Sequence, residues 1–406
     1  MTSQPSITVA NAPSPQQLED IFNILGEVFP VGKAFFQDRL LNDSSYDPQT
    51  TWFATVEGKV ASTIQIFPLH IRVGQAVLKI GGIGSVGTDP CYRGIGLAQS
   101  LLRAQTEWMK QNDYDASLLL AIIHAFYEKA GWKLIPEKGC SMPKPDPIEP
   151  PAGYEIVPFE AQYLDQLRHI YEQYNDGRTY TLIRDEAYWN DLLLWPAWTQ
   201  ADCLLVRHNG RIVAYGLIEK SDQAKVFIQE LVYLPEAASA VVALFTALGQ
   251  LRPHAKHVLA KLPDDHPLAE YYKQQPQAEQ LDLNISMWKM IHCRSMLQKL
   301  RPELEHRIRS SEYAEQKLHL ELRAGEDRFW LNYADRKLAV SQQADPFAAY
   351  ESLQLDPWQL ISSVIFGYEE ASGGIDRPRQ ADSAASAILR TLFPKQQAVF
   401  YLTDKF

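Results

Sequence analysis

Of 406 residues only four are cysteine, and Cys91, Cys140, Cys203 and Cys293 stand far apart with no Cys-x-x-Cys among them. That excludes a disulfide framework and a cysteine-based zinc site, and it fits a reducing cytoplasm. Basic residues are in the minority: 39 Lys and Arg against 49 Asp and Glu give a formal charge of −10. Neutralising nucleic-acid phosphates needs a basic face, so no nucleic-acid partner is expected. No apolar run reaches the length of a membrane span, and Met1–Pro13 lacks the basic-then-apolar pattern of a signal segment. Neither a membrane partner nor a metal is expected.

What is present reads as globular. Apolar residues make up 46% and charged residues 22%, over a length suited to two or three domains. Residues 14–41 carry apolar positions at helical spacing. Thr51–Val56 and Val60–Ile66 alternate around Glu57-Gly58-Lys59 and read as a hairpin. Leu69–Val73, Ala76–Ile80 and Gly81–Gly87 follow as strands, then a helix over Leu97–Gln111, a strand over Ala116–Ile122 and a short helix around Phe126–Ala130. Five prolines between 143 and 151 mark a linker. Beyond it the same order returns: helices over Phe159–Tyr174 and Asp185–Trp195, strands flanking His208-Asn209-Gly210, a strand at Val226–Leu234, a helix at Ala238–Leu251 and a strand at Val258–Leu262. A third unit from about Ser295 shows short strands, a capped helix start at Asp356-Pro357-Trp358 and a helical pattern over Ala381–Thr391.

Two glycine-rich stretches compete for attention. Gly82-Ile83-Gly84-Ser85-Val86-Gly87 fits Gly-x-Gly-x-x-Gly by letter. A dinucleotide site would need a helix to open there, but Thr88-Asp89-Pro90 reads as a turn. Gly81–Gly87 is therefore an irregular strand whose missing side chains let a ligand approach the backbone. Arg93-Gly94-Ile95-Gly96-Leu97-Ala98 does open a helix. Free N–H groups and the helix dipole make such a start a place to hold phosphate. The second unit has Pro235-Glu236-Ala237-Ala238-Ser239 at the corresponding place, with no glycine and an acidic residue, and reads as a degenerate copy.

The spacing Arg-x-x-Gly-x-Ala, followed by Phe126-Tyr127-Glu128-Lys129-Ala130-Gly131-Trp132, resembles the GNAT (GCN5-related) acetyltransferase superfamily. The resemblance implies that Arg93, Gly94, Ile95, Gly96, Leu97 and Ala98 cradle the acyl-CoA pyrophosphate and that Tyr127 is the general acid. Two such units, a mixed third unit and a terminal Phe together resemble the Eis (enhanced intracellular survival) family of bacterial N-acetyltransferases over nearly the whole chain. The implied fold is α/β of mixed α+β character. It has two tandem GNAT-like mixed-sheet domains, at 1–145 and 152–292, and a sterol-carrier-protein-like α+β domain at 295–406. Gly367-Tyr368 and Phe393-Pro394 fit that third pattern.

The same resemblance implies acetyl-CoA as co-substrate and a backbone at Val86 facing the acetyl group. It also implies a C-terminal carboxylate at Phe406 acting as general base in the first domain, and a homo-oligomer, since hexamers occur in the family. The acceptor is a primary amine: an aminoglycoside, a polyamine or a lysine side chain. Lys405 before Phe406, and the apolar Ile122-Ile123 before His124, weigh against polycations. Glu27 is a candidate contact for a cationic substrate, or else a solvated face residue. His124 is a candidate base or proton relay, or else structural. A reading from another class is an acyl-CoA-sensing or lipid-binding regulator without turnover.

Overall fold

Local signals account for most of the elements in the computed structural model, which describes residues 6–220, 224–372 and 383–406. The chain enters on β1 (Ile7–Asn11), α1 (Pro15–Val28) and α2 (Gly32–Leu41), then a meander of β2 (Thr51–Val56), β3 (Lys59–Val73) and β4 (Ala76–Thr88). A capping box starts α1, with Ser14 and Gln17 each satisfying the other's backbone N–H. Next come α3 (Leu97–Gln111), β5 (Ala116–Leu120), α4 (His124–Glu128), β6 (Lys133–Leu134) and β7 (Glu137–Pro143).

The middle of the chain holds β8 (Tyr154–Pro158), α5 (Leu164–Asn175), β9 (Thr179–Leu182), α6 (Glu186–Leu192) and α7 (Pro196–Thr199). The hairpin β10 (Ala201–His208) and β11 (Arg211–Glu219) turns on Asn209 and Gly210, both at positive φ (49° and 77°), as a two-residue hairpin turn demands. Then follow β12 (Lys225–Tyr233), α8 (Val241–Gln250), β13 (His257–Ala260), α9 (Pro267–Lys273), β14 (Glu279–Leu283) and β15 (Ser286–Met290). The last part comprises α10 (Cys293–Arg309), β16 (Leu318–Ala324), β17 (Asp327–Ala334), β18 (Lys337–Ser341), β19 (Glu351–Leu355), α11 (Pro357–Phe366), α12 (Tyr368–Ser372) and α13 (Ala384–Leu392). The expected start of this final helix at Ala381 lies outside the described residues.

Among the described residues three mixed sheets result. The first orders β1-β2-β3-β4-β5-β15-β6 with β9 added beside β3, the second β14-β7-β13-β12-β11-β10-β8, and the third β18-β17-β16-β19. This is the mixed α/β class expected. The expected boundaries are crossed, however. Strand β7, from the first segment, pairs between β14 and β13 of the second sheet, while β9 and β15, from the second segment, complete the first. Val60–Ile66 and Leu69–Val73 were expected as separate strands, yet one 15-residue strand runs through both and through Pro68 between them. The reason is local. Pairing with β2 ends at Gln65 and pairing with β9 begins at Ile71, so Pro68 sits where no neighbour on that side asks for its missing N–H.

Candidate active site

Strands β4 and β5 are parallel and paired only from Ile80–Ala116 to Ile83–Leu119. Beyond that point β4 continues to Thr88 beside β3, while β5 stops at Leu120. The strands part and open a cleft. A bulge falls on β4 at its edge: Gly84 faces Gln65 and Gly87 faces Thr63, which leaves Ser85 and Val86 with no partners in the β3 register. Ser85 takes φ 50°, in the left-handed region. Val86, singled out above, is one of the two residues of this bulge.

Helix α3 begins across this cleft. Its N-cap is Gly96 at φ 85°, with Gly94 at φ 81°, and no side chain caps the first turn. A Cβ at either glycine would meet nothing within 4 Å, so the loop is an open cradle. Arg93, Gly94, Ile95 and Gly96 are exposed, and Leu97 turns inward as the first core residue of α3. Arg93 Nε donates to the Thr88 carbonyl at 3.3 Å, which holds its exposed side chain beside the loop. These features fit a diphosphate.

Tyr127 lies on α4 and is 7% exposed. It shares one apolar cluster with Ile83 of β4, Leu97 and Leu101 of α3, and Leu119 of β5, with Val86 packed against it. Gln99 Nε2 donates to the Phe126 carbonyl at 2.8 Å and ties α3 to α4. Burial pushes the Tyr127 phenol up from 10 to about 12. That is higher than its ordinary value suggested and keeps the phenol a proton donor.

Phe406 reaches the other face of β4. A Cβ on Gly82 would come within 3.0 Å of the Phe406 ring, and one on Gly84 within 3.1 Å of its carboxyl carbon. Alternate residues of a strand share a face, so the ring and the carboxyl group lie along one face of β4 while Ile83 and Tyr127 occupy the opposite one. The glycine run was expected to admit a ligand; at Gly82 and Gly84 it admits the chain's own end. Gly81 leaves its space to Met109 and Gly87 to Leu25. The ring centroid is 5.8 Å from that of Phe67.

The tail is clamped on its way. Arg184, just after β9, donates to Asp404 from Nε and Nη2 at 2.8 Å each, to Glu230 of β12 at 3.0 and 2.7 Å, and to Thr403 at 2.9 Å. Tyr188 adds its hydroxyl to Asp404 at 2.9 Å. The Arg184, Glu230 and Asp404 side chains are at most 1% exposed. Burial alone would lower the Arg184 pKa, but the two carboxylates outweigh it and hold the guanidinium well above its usual range. Desolvation lifts Asp404 above its ordinary value while Arg184 pulls it back.

Upstream, Val399 N–H bonds to Thr179 at 3.1 Å and Tyr401 to Asn175 at 3.0 Å. The second sheet repeats the parting of the first: β12 and β13 pair only from Lys225–His257 to Ile228–Ala260. The space beyond is bounded by Gln229, Lys261 and Pro263, and by Phe400 and Tyr401 of the tail. The second cleft is therefore filled by the chain itself, beside a helix start that carries Glu236 instead of glycine.

Two further site candidates, Glu27 and His124, have surroundings of their own. Glu27 is exposed near the end of α1, and the cavity beside the bulge is lined from α1 by Ile21, Phe22 and Leu25 instead. Helical geometry turns Glu27 to solvent when those positions face in. His124 shares a hydrogen bond of 2.8 Å between Nε2 and the Asn284 carbonyl, a tether between α4 and the turn before β15. Arg184 and Asp404 were missed, because nothing in their sequence neighbourhoods shows that they become buried together with distant partners.

Residues 11–135 match the model of an acetyltransferase (GNAT) domain. That segment contains the parted strands, the Arg93–Ala98 cradle and Tyr127, and the match supports an acyltransferase. Over its whole length the chain shares its fold with solved structures. A conserved protein of unknown function from Enterococcus faecalis V583, described as a probable N-acyltransferase, is 15% identical with a TM-score of 0.73, over 99% of this chain and 100% of that one. A GCN5-related N-acetyltransferase from Anabaena variabilis ATCC 29413 is 18% identical with a TM-score of 0.68, over 99% and 100%. Eis1 from Mycobacterium abscessus is 14% identical with a TM-score of 0.63, over the same shares. No curated protein sequence matches. Among the described residues no helix is long and apolar enough to cross a membrane.

Proposed function

We propose that the protein is an acetyl-CoA-dependent N-acetyltransferase that acylates a primary amine by direct transfer. The observation that carries the reading is the pairing of an open, uncapped helix start at Gly96 with the Phe406 carboxyl group against Gly84, one residue before the β4 bulge. When bound, acetyl-CoA supplies an activated thioester, and Arg93, Gly94, Ile95, Gly96, Leu97 and Ala98 are the residues that would hold its diphosphate.

Three tasks fall to the chain. A primary amine with a pKa near 10.4 arrives as ammonium, and freeing its lone pair at pH 7 costs roughly 4–5 kcal/mol. Phe406 receives that proton on its carboxylate, directly or through a water. An ordinary α-carboxylate is a weak base, so its use here depends on partial desolvation beside Phe67 and Gly84. The Val86 N–H at the bulge donates to the carbonyl oxygen as charge grows there. Tyr127 gives its proton to the departing sulfur. The dry surroundings that raise the phenol to about 12 would raise a thiol beside it too, so the transfer stays near balance.

On this reading the second domain keeps the fold but not the chemistry. The third, a scaffold of sterol-carrier type, delivers the tail, and the protein works in the cytoplasm as a homo-oligomer. The test is thiol release from acetyl-CoA on adding amines to the full chain. Binding of acetyl-CoA with no release for any amine would favour a sensor that does not turn over.

A further inference from the structure

Helix α4, which carries Tyr127, has five residues and no side chain capping its start. A helix that short has no stability of its own in water, so its neighbours must hold it. They do so at three points. At its start His124 Nε2 shares a 2.8 Å hydrogen bond with the Asn284 carbonyl, and in its middle Gln99 Nε2 donates to the Phe126 carbonyl at 2.8 Å. Past its end Lys289 Nζ of β15 donates to the Ala130 carbonyl at 2.7 Å and to Thr106 Oγ1 of α3 at 3.0 Å. The N–H groups of Ala130 and Trp132 both bond to the Tyr127 carbonyl, at 3.0 and 3.2 Å. Lys289 therefore grips the turn that closes on Tyr127. Gly131 makes room for it: at φ 92°, a Cβ there would lie 3.3 Å from Lys289 Cε.

We propose that Lys289 is a positioning residue for acetyl transfer, acting through the Ala130 carbonyl to fix the turn that sets Tyr127. The inference rests on reading Tyr127 as the general acid. Lys289 lies opposite Ser117 of β5, on a strand that comes from beyond the proline stretch and outside the matched residues 11–135. Keeping an ammonium group there costs free energy. Nζ sits 4.5 Å from the centroid of the fully buried Trp132 ring, and the two oxygens it bonds to are both neutral. Burial foremost, and Lys110 next, lower its pKa from 10.5 to about 8, while Glu107, paired with that Lys110 at 3.1 Å, raises it only in part. An apolar side chain would fill the space without that cost. What it would not supply is an N–H donor at the end of α4. Even without its extra proton the amine keeps two N–H groups for its two acceptors, so the tie does not depend on charge. Precision is what the tie adds, since a misplacement of about 1 Å can lose roughly 100-fold in rate.

The test is a double-mutant cycle on the full chain. Thiol release from acetyl-CoA is measured with 2-phenylethylamine, spermidine or kanamycin, whichever turns over fastest in the unaltered protein, and acetyl-CoA binding by calorimetry. Lys289→Met should lower kcat about tenfold with the acetyl-CoA Kd unchanged. In the Tyr127→Phe background the same substitution should lower kcat less than about twofold, because no proton donor is left to misplace. Equal losses in the two backgrounds, or full activity in Lys289→Met, overturn the inference while leaving Tyr127 as the acid. Full activity in Tyr127→Phe removes the acid and the inference with it. Silence with all three amines while acetyl-CoA binds overturns the transferase reading and, again, the inference. Should Lys289→Met fail to fold, Lys289→Gln, whose shorter side chain stops short of the Ala130 carbonyl, decides by the same cycle.

Discussion

Arg184 and Asp404, 220 residues apart, meet in a two-pronged pair with both hydrogen bonds at 2.8 Å. Asp404 stands two residues before Phe406, so an arginine of the second unit sets where the tail turns towards β4 of the first. Arg184→Met would leave Asp404 and Glu230 buried together without their cation. The expected cost is about 3–5 kcal/mol, read as a lower denaturation midpoint, together with reduced turnover. Asp404→Asn keeps the shape and should be milder. A melt of Arg184→Met that overlays the unaltered protein would remove the clamp from this account.

Gly84→Ala tests the chain end directly. The added methyl would lie 2.9 Å from the Phe67 ring and 3.1 Å from the Phe406 carboxyl carbon, closer than carbon atoms tolerate. Turnover should fall at least tenfold while acetyl-CoA binding, measured by calorimetry, is kept. An extra residue appended after Phe406 should do the same. Full activity in both variants would take the carboxyl group out of the mechanism.

Tyr127→Phe should lower kcat about 100-fold, within the range for losing a general acid, with the acetyl-CoA Kd unchanged. The pH profile adds a sign. With its pKa raised from 10 to about 12, the folded state keeps a proton that the unfolded chain gives up. Its share of stability is therefore full below about pH 10 and lost as pH rises through about 12. The phenol is neutral throughout the working range, so the variant's kcat–pH curve should be lower but unchanged in shape. A decline near pH 9 that vanishes in Tyr127→Phe would contradict both the burial and the assignment.

Gly96→Val addresses the cradle. Open space surrounds the position, so the penalty comes from φ 85°, which a β-branched residue strongly resists. The KM for acetyl-CoA should rise tenfold or more with kcat little changed. A drop in kcat alone would point to a role in the chemical step instead.

Much of the fold was legible wherever a local signal decided it. The expected bounds of α3, Leu97 to Gln111, agree with those observed, because glycine precedes the helix and its apolar spacing runs without a break. The β10–β11 hairpin followed from Asn209-Gly210, and the start of α11 from Asp356-Pro357 with its capping box. Short strands such as β7 and β15 carry no pattern that says which sheet they will join, so the exchange between sheets was not readable. Helix α10 went unseen behind its internal Pro302. In the site, the cradle could be read from its glycines and helix start, and Tyr127 and Phe406 only from a resemblance. Lys289 and Arg184 acquire meaning from partners far away in sequence, which no local pattern encodes.

Strand β15 lies between β5 and β6, with Met287 opposite Leu119 and Leu134. The matched domain ends at residue 135, yet its sheet closes only when residues 286–290 are present. A fragment cut at the proline stretch would expose the edge of β5, with Leu118 and Leu119 buried in the intact protein, and would invite aggregation. The transferase half is not a cassette. Strand β7 repays the loan in the second sheet, between β13 and β14, so each half holds a strand that the other needs.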